Sequence, residues 1–187
     1  KDLFLIGGGH ANIQVLKSFA MRPVAGLRVT LLSDTTHAPY SGMLPGHLAG
    51  WYSFEEIHFD LRALCQKAGA RFIHSAVMGI DPKARVVRLT DRAEMAYDLA
   101  VLNTGIVPKP LADSNPDLPN FFSLKPIGRF LQDWQKFWNQ METWQSERVL
   151  RLGMVGGGAA GVEVSLILSR RLSAKKIPFE IHLFTRG

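Results

Sequence analysis

Twice in this chain of 187 residues a short apolar run ends in three consecutive glycines and gives way to a helical pattern. Leu3-Phe4-Leu5-Ile6 leads into Gly7-Gly8-Gly9, and Val149 to Val155 leads into Gly156-Gly157-Gly158. A run of this kind is what a strand needs when both of its faces are covered, so each reads as a parallel strand of an α/β sheet. After the first loop, Ala11, Val15, Leu16 and Phe19 recur at helical spacing, and Arg28 to Ser33 forms the next buried strand. After the second, a helix from Ala159 to about Leu172 precedes the strand Phe179 to Thr185. The repeat predicts two strand–helix–strand units in tandem.

The stretch between them is less regular. His37 to Gly50 carries the breakers Pro39, Gly42, Pro45, Gly46 and Gly50 and reads as a loop. Asp60 is placed to cap a helix with Leu61, Leu64 and Cys65 on one face and Gly69 as its stop. Arg71 to Ile80 and Arg85 to Leu89 read as strands joined by the turn signal Asp81-Pro82-Lys83, an antiparallel excursion that returns to the main sheet through Tyr97 to Asn103. Pro108 to Pro119 is a Pro-rich connection without periodicity. Pro126 then opens an amphipathic helix with Ile127, Phe130, Leu131, Trp134, Phe137, Trp138, Met141 and Trp144 on one broad face. That aromatic stripe suits a quinone or membrane contact as well as packing. Gln132, Asp133, Gln135 and Lys136 on the other side make core or interdomain packing the expectation.

The glycines carry the chemistry. In Gly7-x-Gly9-x-x-Asn12 the first glycine permits a tight turn, and the second allows backbone to approach a pyrophosphate. The helix N-terminus then offers free N–H groups and the positive end of its dipole to the phosphates. Asn12 stands where a third small residue is usual, which predicts a looser strand–helix contact. The second copy, Gly156-x-Gly158-x-x-Gly161, is complete. Two copies in the same strand–loop–helix context point to two dinucleotide sites. At the place of the acidic ribose ligand the first unit has Ser33, then Asp34, and the second has Thr185, then Arg186. Thr185 does not repel a 2′-phosphate and Arg186 offers it a partner, so NADP is admissible beside NAD. His10 lies in the first loop, where it either meets the cofactor or is simply an exposed helix-start residue.

Composition narrows the class. Cys65 is the only cysteine, which excludes a disulfide framework, a multi-cysteine metal site and the redox pair of a flavin disulfide reductase. The same count argues against sulfide:quinone reductase-like sulfur chemistry, and a reducing, cytoplasmic setting is expected. The net charge of +6 is scattered apart from Arg170, Arg171, Lys175 and Lys176, so a solvated surface is favoured over an anionic partner or membrane surface. No basic, aromatic-interleaved stripe points to nucleic acid. No apolar run is long enough to span a bilayer.

Several segments add a resemblance: Gly7 to Ala11 (GGGHA), Pro39 to Gly46 (PYSGMLPG), Tyr97-Asp98 leading to Thr104-Gly105, Leu124-Lys125-Pro126 with Arg129-Phe130, and Gly156 to Glu163 (GGGAAGVE). Together they resemble the two-dinucleotide-binding-domain flavoproteins of the pyridine nucleotide-disulfide oxidoreductase and NADH-dehydrogenase-like family. Within it they are most similar to the module fused ahead of selenide, water dikinase. The resemblance implies tandem Rossmann-like FAD/NAD(P)-binding units with a small antiparallel β excursion. It implies an FAD-binding part at 1–110, a linker and amphipathic helix at 111–147, and the start of an NAD(P)-binding part at 148–187. The family's second nicotinamide-domain half and its later Gly-Asp segment have no counterpart in these residues, so the second unit is expected to be incomplete and to bind nucleotide poorly.

The resemblance also distributes roles. Gly7, Gly9, His10 and Ala11, with Ser33 and Asp34, would hold the ADP half of FAD, and Thr104-Gly105 would close over it. Gly42, Met43, Leu44 and Pro45 would lie beside the isoalloxazine, although their composition alone reads as a surface loop. Gly156, Gly158 and Gly161 would hold NAD(P)H, with Glu163 near the flavin–nicotinamide junction. Hydride would pass from NAD(P)H to FAD and on to a small-molecule acceptor such as a quinone; a catalytically silent nucleotide-binding or regulatory module, or a truncated fragment without activity, is the other reading. A fused or associated selenide, water dikinase-like enzyme and a homodimer are the protein partners it admits.

Overall fold

The computed structural model describes residues 1–106, 120–144 and 148–185. The connection Pro108 to Pro119 and the residue Arg186 lie outside the described residues. In chain order the elements are β1 (Asp2–Ile6), α1 (His10–Met21), β2 (Arg28–Ser33), β3 (His37–Pro39), a 3-10 turn (Ser41–Met43), α2 (Leu44–Leu48), β4 (His58–Asp60) and α3 (Leu61–Lys67). They continue with β5 (Arg71–His74), β6 (Val77–Asp81), β7 (Val86–Leu89), β8 (Met95–Ala96), β9 (Leu99–Leu102), α4 (Ile127–Glu142), β10 (Leu150–Val155), α5 (Ala159–Ala174) and β11 (Phe179–Phe184). The described residues fall into two compact units.

The first unit comprises Lys1–Tyr40 and His58–Ile106. Its main sheet is parallel in the order β5-β2-β1-β9, with Ile6 opposite Leu32 on one side and Leu102 on the other. The apolar run of β1 serves two layers. Leu3 and Leu5 pack with Ile13 and Leu16 of α1 and Leu61 and Cys65 of α3. Phe4 and Ile6 pack on the opposite face with Val87 and Leu89 of the antiparallel sheet β6-β7-β8. Each side chain buried this way stabilises the sheet by about 1.5–3 kcal/mol. Alternate residues from Leu3 to Ile6 therefore bury on opposite faces, which is why that run shows no polar positions.

Two local expectations change here. Arg71 to Ile80 is two strands, because its first half pairs parallel with β2 and its second half antiparallel with β7. The chain turns at buried Ser75, whose N–H donates to the Ser33 carbonyl (2.9 Å) and whose hydroxyl donates to Asp91. β3 opens the segment that reads as loop and pairs antiparallel with β4 beyond it. The Asp81 turn forms as its sequence suggests, with the carboxylate accepting from Lys83 and Ala84 N–H at 2.9 Å.

The second unit comprises Ser41–Ile57 and the described residues from 120 onward. Its parallel pair β10-β11 runs in register from Leu150 opposite Phe179 to Val155 opposite Phe184. Leu150, Leu152, Met154, Phe179 and Ile181 face a core of Val164, Leu168 and Leu172 from α5. Phe130, Leu131, Trp134, Phe137, Trp138 and Met141 of α4 complete it, so the aromatic stripe is a packing face. Leu48 of α2 and Ile57 join the same core. The other face of the strand pair is exposed and bears Arg151, Glu180 and His182, with Arg151 and Glu180 paired at 3.1 Å. Leu44–Leu48 is helical within the breaker-rich segment, because Pro45 is tolerated in a first turn and Gly46 accepts the Tyr52 ring where a Cβ would stand. No helix among the described residues is long and apolar enough to cross a membrane.

Candidate functional site

The first glycine loop is built at the carboxyl end of β1. Gly7 sits at φ +89°, a conformation that favours glycine, and its N–H donates to the Leu32 carbonyl at 2.8 Å. Gly9 is the N-cap of α1 and has no side chain to offer the first turn. That role falls to Asn103, at the end of β9. Its carbonyl accepts from Gly9 N–H and its Oδ1 from Ala11 N–H, both at 3.0 Å. A Cβ on Gly9 would collide with the Asn103 side chain, and one on Gly7 would stand 2.6 Å from Thr104 Cα. In this loop both glycines are therefore required by the chain's own packing, as well as by any approach of a phosphate.

Asn12 corrects the expectation of a loose contact. It is fully buried, and its Nδ2 donates to the carbonyls of Ile6 (3.1 Å) and Gly7 (2.8 Å), so it ties α1 to the end of β1. Its Oδ1 is buried without a partner among the described residues. His10 is the exposed first residue of α1, stacked on Tyr40 with ring centroids 5.1 Å apart. Ser33 is buried and its hydroxyl accepts from Thr35 N–H at 3.3 Å, whereas Asp34 is exposed. Thr104 and Gly105 are exposed beyond β9, with Gly105 at φ +84°. The first unit thus brings Gly7, Gly9, Ala11 and Thr104 together around Asn103.

The second loop is more open. Gly156 has φ +112° and its N–H donates to the Phe184 carbonyl at 2.8 Å. Gly158 caps α5 with nothing within 4 Å of where a Cβ would stand. A Cβ on Gly161 would collide with the Gly156 carbonyl, so the third glycine lets helix and strand approach. Glu163 is exposed on α5. Gly42 is exposed and Met43, Leu44 and Pro45 are half-buried, with Met43 and Leu44 packed on the second unit's core. Arg171 of α5 holds α2 from its far end: its Nη1 donates to the Leu48 carbonyl at 2.7 Å, and its guanidinium lies 3.9 Å from the Trp138 ring centroid.

Neither α1 nor α5 has an acidic residue in its first turn or a cap from its own N-cap side chain. Both ends are therefore electropositive, and a dinucleotide pyrophosphate fits each. Burial pushes the Cys65 thiol up to about 11, so no thiolate is available there at neutral pH. Among the described residues no group of three or more His, Cys, Asp or Glu is arranged to hold a metal ion. Sequence reasoning missed Asn103 and the buried role of Asn12. No periodicity links Asn103 to a helix that starts more than 90 residues earlier, since the two are 92 residues apart at the Ala11 bond.

Comparison with known proteins agrees with this geometry. Over 109 residues, 56% of the chain, it is 36% identical to the sulfide-quinone reductase of Aquifex aeolicus, matching 24% of that protein. Over 170 residues, 87% of the chain, it is 24% identical to the type II NADH:quinone oxidoreductase of Staphylococcus saprophyticus, matching 42% of it. The crystal structure of sulfide:quinone oxidoreductase from Aquifex aeolicus superposes with a TM-score of 0.75 at 25% identity, covering 99% of this chain and 43% of that one. The chain spans less than half the length of these relatives. Residues 1–184 match the model of the pyridine nucleotide-disulphide oxidoreductases, and the chain belongs to that family.

Proposed function

We propose that this chain carries the dinucleotide-binding loops of an FAD-dependent NAD(P)H oxidoreductase. The observation that supports this most is the pair of glycine-capped, acid-free helix ends, each following a strand of a parallel pairing. In this reading α1 receives the pyrophosphate of FAD on its first-turn N–H groups, with Gly7, Gly9, His10 and Ala11 forming the loop. Ser33 and Asp34 lie at the ribose, and Thr104-Gly105 borders the cofactor. Gly42, Met43, Leu44 and Pro45 border the isoalloxazine. The α5 end, with Gly156, Gly158 and Gly161, receives NAD(P)H, and Glu163 stands toward the junction of the two cofactors. The functional parts are 1–110 for FAD, 111–147 as connection and 148–187 for NAD(P)H; Ser41–Ile57, which packs in the second unit, serves the flavin.

The flavin, when bound, supplies hydride acceptance and onward electron transfer. The chain's residues bind, orient and shield. Their backbone N–H groups and helix dipoles stabilise the two pyrophosphates, and the neutral first turns avoid repelling them. No side-chain nucleophile is required, consistent with the burial of Cys65. The quinone-acting relatives support a quinone as acceptor. A selenide, water dikinase as fused or associated partner rests on the sequence resemblance alone, in which Tyr40 to Gly46 and Lys125-Pro126 are the narrower signals.

The test is flavin retention. Protein mixed with FAD and freed of excess ligand keeps an absorbance band near 450 nm in this account. A colourless, folded protein that binds nucleotide without flavin would instead identify a silent nucleotide-binding module.

A further inference from the structure

We propose that Asn103 is a positioning residue for the anion-binding end of α1, and that its lack of charge sets how tightly that end holds a dinucleotide pyrophosphate. The proposal rests on the reading of α1 as a cofactor site. A helix start is ordinarily satisfied by a Ser, Thr, Asp or Asn at the N-cap itself. Here the N-cap is Gly9, and the side-chain acceptor comes from the end of β9, as Asn103 Oδ1 on Ala11 N–H at 3.0 Å. The Asn103 backbone completes the join, donating to the Ile6 carbonyl at 2.7 Å and accepting from Gly9 N–H at 3.0 Å. One residue thus ties β1, the loop and the first turn together while the N-cap position stays free of side chain.

A second helix of the same unit shows what a cap built for the helix alone looks like. Asp60 caps α3 from its own N-cap position and accepts from Arg62 N–H at 2.9 Å and Ala63 N–H at 3.0 Å. Those bonds hold its carboxyl below the usual carboxylate range. A carboxylate also interacts favourably with the helix dipole, so for stability alone an aspartate would serve α1 at least as well as an asparagine. Asparagine gives the same acceptor geometry with no charge. With Oδ1 directed at Ala11 N–H, the other polar group of its side chain is the donor Nδ2. That choice suits a helix end that must accept an anion. At α5 nothing crowds the place where a Cβ of Gly158 would stand, and the N-cap has no side chain to contribute.

The experiment compares the parent chain with Asn103→Asp and Asn103→Ala, reading melting temperature without ligand and dissociation constants for FAD and for ADP at low and moderate salt. The aspartate variant is expected to melt within about 2 °C of the parent or above it. It should also bind FAD and ADP roughly tenfold more weakly or worse, with the deficit shrinking as salt screens the added charge. The alanine variant is expected to lose both melting temperature and affinity, with no such salt dependence. An aspartate variant that binds within about threefold of the parent overturns the proposal, as does one that melts as low as the alanine variant. A parent chain that binds neither FAD nor ADP removes the cofactor reading of α1, and the proposal with it; binding by the parent with tolerance of aspartate removes the proposal alone.

Discussion

Replacing Gly158 by alanine probes the ligand, whereas replacing Gly9 by alanine probes the fold. Gly158 has φ −71° and ψ 169°, which alanine adopts without strain, and its added methyl would meet nothing within 4 Å. Loss of chain entropy in the unfolded state and the poorer N-cap preference of alanine work against each other, so stability should change by less than about 1 kcal/mol. In the proposed reading the methyl stands where a pyrophosphate approaches the α5 end. Losing one hydrogen bond to a charged group costs about 1.5–3 kcal/mol, which is roughly a tenfold to hundredfold weakening of NAD(P)H binding. At Gly9 the new Cβ would overlap the Asn103 side chain and carbonyl. Overpacking of about 1–3 kcal/mol, with two hydrogen bonds through Asn103 put at risk, brings the cost to roughly 2–5 kcal/mol. For a unit of this size that lowers the melting temperature by about 10 °C or more. Thermal melts followed by circular dichroism, paired with NAD(P)H titrations, read both effects. A Gly158→Ala protein that binds as tightly as the parent would refute the placement of the pyrophosphate. A Gly9→Ala protein that melts with the parent would refute the Asn103 join.

Arg171→Met should remove the bond to the Leu48 carbonyl and the stacking on Trp138, costing about 1–3 kcal/mol and changing tryptophan emission, both measurable in a denaturant titration. Asp91 is held at about 2 by the Arg92 guanidinium and the Ser75 hydroxyl. Because an unfolded aspartate titrates near about 3.9, its stabilising effect is complete above that pH and is lost as pH falls toward 2. Melting temperature plotted against pH should therefore be flatter in that window for Asp91→Asn than for the parent. Trp134 and Trp138 are buried while Trp51 is 65% exposed. In a Trp51→Phe background anionic vesicles should leave the emission maximum unchanged, and a blue shift with co-sedimentation would make α4 a membrane element.

The parts of the fold that could be read from sequence are those governed by short-range periodicity. Leu3 to Ile6 and Arg28 to Ser33 announce strands because both of their faces are buried, and the polar side of Ile127 to Glu142 identifies α4 as a packing helix. Asp60 and Asp81 announced a cap and a turn because their partners lie two and three residues away. What escaped depends on distant partners. The division of Arg71 to Ile80 into two strands is set by pairing with β2 and β7. The helix at Leu44–Leu48 is stabilised by burial of Leu48 in a core drawn mainly from residues beyond 120. At the candidate site the glycines were visible and their reasons were not. Asn12, at a position where a small residue is usual, binds two carbonyls of the loop through its amide, and Asn103 acts from the opposite end of the unit's sequence.

Under the proposed function, two dinucleotide sites serve one hydride transfer. Its most direct measurement is an anaerobic titration of the flavin-loaded protein with NADH and NADPH, following flavin absorbance near 450 nm and the nicotinamide band near 340 nm together. The flavin band should bleach, with one nicotinamide oxidised for each flavin reduced. A flavin that stays oxidised while reduced nucleotide is bound would contradict it.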